Sequence, residues 1–77
     1  EVLANEGGLS VEKAGSALVV RSASASEVTV SVYTLDGKAV LSVKATDGEA
    51  IPVDAKGAVV VTAVAADGAR AIAKYVF

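Results

Sequence analysis

The sequence predicts an all-β domain, and three of its features carry that expectation. Apolar residues recur at every second position in short runs, as strands with one buried face require. Valine and alanine supply most of an apolar fraction of 53%, while aromatic residues make up only 4%. Valine is stiff at its first torsion and packs well on a pleated surface, so a valine-rich chain favours strands. Glycine punctuates the runs, directly after aspartate at Asp36-Gly37, Asp47-Gly48 and Asp67-Gly68. Asp-Gly is the pair that tight turns select, because glycine accepts the positive φ they demand.

In chain order, Leu9, Val11 and Lys13 alternate with Ser10 and Glu12 as a half-buried strand, which Ala14-Gly15-Ser16 turns into a second over Ala17 to Arg21. Ser22-Ala23-Ser24-Ala25-Ser26 reads as a loop of small residues. The cleanest strand follows, with Val28, Val30 and Val32 on one face and Thr29, Ser31 and Tyr33 on the other. Asp36-Gly37 predicts a hairpin into Lys38 to Thr46, where Ala39, Leu41, Val43 and Ala45 oppose Val40, Ser42 and Lys44. After Asp47-Gly48, the run Glu49 to Asp54 contains Pro52, which cannot donate to a ladder and so predicts an edge strand. Lys56-Gly57 leads into Ala58 to Val64, apolar on both faces and therefore central. Asp67-Gly68 predicts the last hairpin, and Ala69 to Phe77 the closing strand. A helix over the alanine-rich Ala63 to Ala73 is rejected, since Asp67-Gly68 interrupts it. About seven short antiparallel strands in 77 residues fit an immunoglobulin-like β-sandwich.

The length allows one domain, residues 1–77, with 1–8 expected as a linker remnant. A net charge of −2 argues against a nucleic-acid partner, which calls for a basic stripe that releases counterions. The opening residues lack the basic start and apolar core of a signal peptide, so any export signal is expected upstream. Cysteine and histidine are both absent, which removes disulfides, thiolate metal sites and nucleophile–histidine catalysis. The expectation is a non-enzyme without cofactor or metal.

Three weaker constellations have simpler readings. Ser42 and Lys44 share a strand face and suggest a Ser–Lys dyad, but a solvated face explains them without the desolvated pocket such a lysine needs. Asp36, Asp47, Glu49, Asp54 and Asp67 offer calcium ligands, yet aspartate before glycine is ordinary turn chemistry. Tyr33 and Tyr75 offer an aromatic platform for sugars or bases, yet a ring with a polar tip suits a sheet rim.

The stretch Gly15-Ser16-Ala17-Leu18-Val19-Val20, followed by Val28 to Val40 with Tyr33, Asp36, Gly37 and Lys38, resembles the C-terminal sorting domain of the type IX secretion system, found in Bacteroidetes cargo proteins. Members typically show an apolar strand ending in tyrosine, a turn with glycine followed by a basic residue, and a second apolar strand. A later glycine-led strand is matched by Gly57-Ala58-Val59-Val60-Val61, and a final basic residue with apolar followers by Lys74-Tyr75-Val76-Phe77. The likeness covers nearly the whole chain. It departs at Ala58 and Val59, where the family often has an aromatic, and at Ala73, where many members have a second basic residue.

The resemblance implies a signal carried as a fold, directing an upstream cargo domain from the periplasm to the cell surface, the outer membrane or the medium. Its implied partners are the type IX translocon and a sortase-like surface protease, with Lys74 to Phe77 as the recognised tail. The residues themselves offer a counterpart. Lys74 and Val76 fall on one face of the last strand, with Tyr75 and Phe77 on the other. At a sheet edge such a strand can add to a partner's sheet. Burial of Val76 and Phe77 in the core is the competing expectation. An accessory immunoglobulin- or fibronectin-like spacer or adhesion domain is the alternative function, and a small carbohydrate-binding domain ranks last. Edge pairing between two copies is also expected to be possible, with Lys44, Lys56 and Lys74 as guards of exposed edges.

Overall fold

The computed structural model describes residues 2–23 and 27–77, and all its regular elements are strands. Along the chain they are β1 (Val2–Glu6), β2 (Leu9–Ala14), β3 (Ala17–Ser22), β4 (Val28–Thr34), β5 (Ala39–Ala45), β6 (Ala50–Pro52), β7 (Ala58–Ala65) and β8 (Arg70–Val76). They form two antiparallel sheets, one ordered β1-β8-β7-β4-β5 and the other β2-β3-β6.

The expected strands appear close to their expected bounds, and the all-β class holds. Valine placement explains the centre of the larger sheet. Val28, Val30 and Val32 all face inward from β4 with no exposure, opposite Ala65, Ala63 and Val61 of β7. The apolar β7 is central as predicted, lying third of five, and Pro52 sits in β6 at an edge as predicted. Buried residues of both sheets, including Leu9, Val11, Leu18, Val20 and Ile51 from the smaller one, belong to a single core. No buried side-chain polar atom among the described residues lacks a hydrogen-bond partner.

Two expectations are corrected. Residues 2–6, expected within a linker, form β1 and pair with β8, one strand more than those read from Leu9 onward and in keeping with the expected count of about seven. β1 takes the rim of the sheet and moves the closing strand β8 inward by one place. The cause is pairing: β8 carries a second ladder edge, and β1 occupies it from Glu6, opposite Arg70, to Val2, opposite Ala73. The strict alternation expected from Ala39 to Ala45 also breaks. Leu41 pairs with Val32 but Ala39 pairs with Tyr33, so Val40 is an extra residue in a bulge and Ala39 shares the outer face of Tyr33. Of the small-residue loop Ser22 to Ser26, residues 24–26 lie outside the described residues, as does Glu1 of the expected linker.

The Asp-Gly turns do two different jobs. At Asp36-Gly37 and Asp67-Gly68 they close hairpins of the same design. The strand-end amide of Thr34 donates to Lys38 and that of Ala65 to Ala69, at 2.9 and 2.8 Å, while each glycine N–H returns to the first residue at 3.0 Å. At Asp47-Gly48 the chain instead leaves the larger sheet for the smaller. That corner is fastened to β3 by Ser22 N–H donating to Asp47 Oδ1 at 2.8 Å and by Gly48 N–H donating to the Val20 carbonyl at 2.7 Å. A second sheet-to-sheet corner uses Gly7 and Gly8, both at φ +75°, and a Cβ on Gly7 would lie 2.6 Å from the Ala69 Cβ. Only glycine fits there.

Leu18 lies between Lys13 of β2 and Ile51 of β6 and is fully buried. Leu18→Ala is expected to lower the unfolding free energy by about 2–5 kcal/mol in urea titrations. Val64→Ala, at a side chain 49% exposed, is expected to cost less than about 1 kcal/mol in the same measurement.

Candidate functional site

Three segments distant in sequence meet at one end of the larger sheet. β4 finishes there at Thr34, β7 begins there at Ala58, and β8 finishes there at Val76. Across the ladders Tyr33 faces Val60, which faces Lys74; Thr34 faces Val59, which faces Tyr75; and Ala58 faces Val76. Tyr33 and Lys74 therefore lie two strands apart on one row, a separation of roughly 10 Å between backbones. The Tyr33–Lys38 hairpin, Gly57 and the Lys74–Phe77 tail, quoted separately in the sequence, form one neighbourhood.

The tail is amphipathic, and its two faces have different fates. Tyr75 and Phe77 turn inward and pack, half-buried, against the core. Lys74 and Val76 turn outward, with Val76 65% exposed. Anchors from distant parts of the chain hold the inward face. The Tyr75 hydroxyl donates to the Val11 carbonyl on β2 at 2.5 Å. Burial, reinforced by the nearby Glu12 carboxylate, pushes the phenol above its ordinary pKa. Phe77 and Gly57 exchange two backbone hydrogen bonds, with Gly57 N–H donating at 2.8 Å and Phe77 N–H at 2.9 Å. Gly57 stands at φ +87°, a conformation that explains glycine at the head of this strand. The Lys13 ammonium sits 5.4 Å above the centre of the Phe77 ring, within cation–π range. Beside it lies a shallow depression of about 320 Å³ bordered by Ser16, Val53, Asp54 and Lys56.

The hairpin is equally well defined. The Thr34 hydroxyl donates to the Asp36 carboxylate and accepts the Lys38 N–H at 3.1 Å. The Thr34 bond, helped by backbone N–H groups and opposed by slight burial, holds the Asp36 carboxyl below its ordinary pKa. The turn projects Leu35 outward, 62% exposed. Leu35 and Val76 are the two most exposed large apolar side chains among the described residues, and both stand at this end of the sheet. Sequence reasoning missed Leu35. Its signal was present, because a leucine at the tip of a tight turn has no strand face to bury it.

The other constellations do not assemble into sites. Lys44 Nζ lies 3.7 Å from Glu27 Oε1 and Ser42 Oγ lies 3.3 Å from Ser31 Oγ, so the imagined dyad is two separate surface contacts. Asp67 accepts a backbone N–H bond within its turn and Asp47 one from Ser22 of β3, and no group of acids positioned for a metal ion occurs among the described residues. Tyr33 lies half-buried on the outer sheet face. Of the expected edge guards, Lys44 stands on the edge strand β5, Lys74 on the inner strand β8, and Lys56 in a loop. No helix among the described residues is long and apolar enough to cross a membrane.

No family model, no curated protein and no solved structure matches this chain.

Because folding raises the Tyr75 pKa, the folded state keeps the phenolic proton longer than the unfolded chain does. The associated stability is complete below the ordinary tyrosine value of about 10 and is lost as pH rises through the folded-state value. Tyr75→Phe is expected to cost about 0.5–1.5 kcal/mol at neutral pH. It should also flatten the decline in stability that the wild-type domain shows above a pH of about 10. Urea titrations of both proteins across that range check both outcomes.

Proposed function

We propose that this chain is a C-terminal sorting domain of the type IX secretion system, folded as an immunoglobulin-like β-sandwich. On this reading it carries an upstream cargo domain through the periplasm and across the outer membrane to the cell surface or medium. It is a ligand for the translocon and a substrate for a sortase-like surface protease, and it catalyses nothing itself. The observation that carries the reading is the presentation of the tail. Tyr75 and Phe77 are anchored inward while Lys74 and Val76 face outward beside the Tyr33–Lys38 hairpin.

The ladder supports a mode of recognition. Among the described residues, β1 pairs with β8 from Arg70 to Ala73, and Tyr75 and Val76 pair with Val59 and Ala58 of β7. A partner strand that took up β8 beyond Ala73 would extend the sheet by β-augmentation. Main-chain bonds would supply affinity, while Val76 and Leu35 supply apolar contacts that select the partner.

Residues 1–77 fused behind a periplasmic reporter are expected to send it to the surface of a host that has this secretion system. Removing Lys74–Phe77 abolishes that export. Val76→Glu does the same while leaving the denaturation curve near wild type, since the side chain is largely exposed. Export of both variants at wild-type levels overturns the reading and leaves the accessory spacer domain in its place.

A further inference from the structure

We infer that Tyr75 is a positioning residue that locks the tail into the cooperative core, so that Lys74 and Val76 are displayed only when the whole domain has folded. The inference rests on the sorting reading for its purpose, but on geometry alone for its substance. Residues 75–77 are fastened to places that come together only in the completed fold.

The fastenings come from three directions. Tyr75 reaches from the larger sheet to the Val11 carbonyl in the smaller one, 64 residues away in sequence. Phe77 is paired through both its N–H and its carbonyl with Gly57, at the entrance to β7. Lys13, two residues after Val11 in β2, caps the Phe77 ring. Both inward side chains also pack on the shared core. Releasing the tail thus requires breaking contacts with β2 and β7 together. Conversely, a chain in which β2 has not docked on the larger sheet has no acceptor for the Tyr75 hydroxyl and no cation over Phe77.

The consequence for recognition is a folding checkpoint. A partner that reads Lys74 and Val76 as an extended, outward-facing pair reads a conformation set by strands from both sheets. An unfolded chain has the same four residues without that geometry. The tail's short sequence then gains its meaning from the assembled domain.

Native-state hydrogen exchange on the intact 77-residue chain tests this. In the wild type, the Gly57 and Phe77 amides are expected to show the same opening free energy as the ladder amides of β4 and β7. In Tyr75→Phe, protection at Gly57 and Phe77 is expected to fall about tenfold further than at β4, the loss of one hydrogen bond appearing as a local opening. A purely structural role would lower all amides together. Wild-type tail amides that exchange about 100-fold faster than those of β4 overturn the lock, as does a Tyr75→Phe protein whose protection falls uniformly. Either result leaves the export test untouched, while failed export with a protected tail overturns the sorting reading alone.

Discussion

Val28, Val30 and Val32 on β4 and Val59 and Val61 on β7 face inward with almost no exposure, and the rest of the domain is arranged around keeping them dry. Burying each is worth about 1.5–3 kcal/mol, a large sum for a chain whose backbone entropy must be offset by a small core. Branching at Cβ keeps these side chains rigid, so burial costs little side-chain entropy. The core gains its order from many stiff small groups, since aromatic residues are only 4% of the sequence.

The distribution of valine and alanine shapes the space between the sheets. β2 approaches β8 and β7 most closely, and there the inward residues are Ala63, Ala65, Ala71 and Ala73, all buried. Small side chains let backbones come near. That proximity allows the Tyr75 hydroxyl to reach a backbone carbonyl in the opposite sheet.

Among the described residues every fully buried side chain is apolar. Asp36 and Asp67 bond within their turns, Asp47 ties its corner to β3, and Glu12 and Glu27 pair with Arg21 and Lys44 on the surface. At one end of the larger sheet a hairpin, a glycine-led strand and β8 converge. Leu35 and Val76 stand exposed there on a frame that distant segments hold fixed. On the sorting reading proposed above, those two exposed apolar groups would give a partner something to bury.

Much of this was legible before any coordinates. The alternation at Val28–Val32, the two-faced apolar run at Ala58–Val64, the edge proline and the Asp-Gly hairpins each follow from local rules of side-chain periodicity and backbone sterics. The division of Lys74–Phe77 into two faces was legible for the same reason, while which face turns inward was not. Tertiary structure alone decided whatever depends on which strands become neighbours. Period two marks a strand but not its partner, so nothing in Val2–Glu6 distinguished a linker from a rim strand until β8 left an edge open for it. The bulge at Val40, the different uses of identical Asp-Gly pairs, and the Tyr75–Val11 bond likewise arise from register and sheet spacing. These are relations between residues far apart in the chain, and they take a definite value only once the valine core has closed.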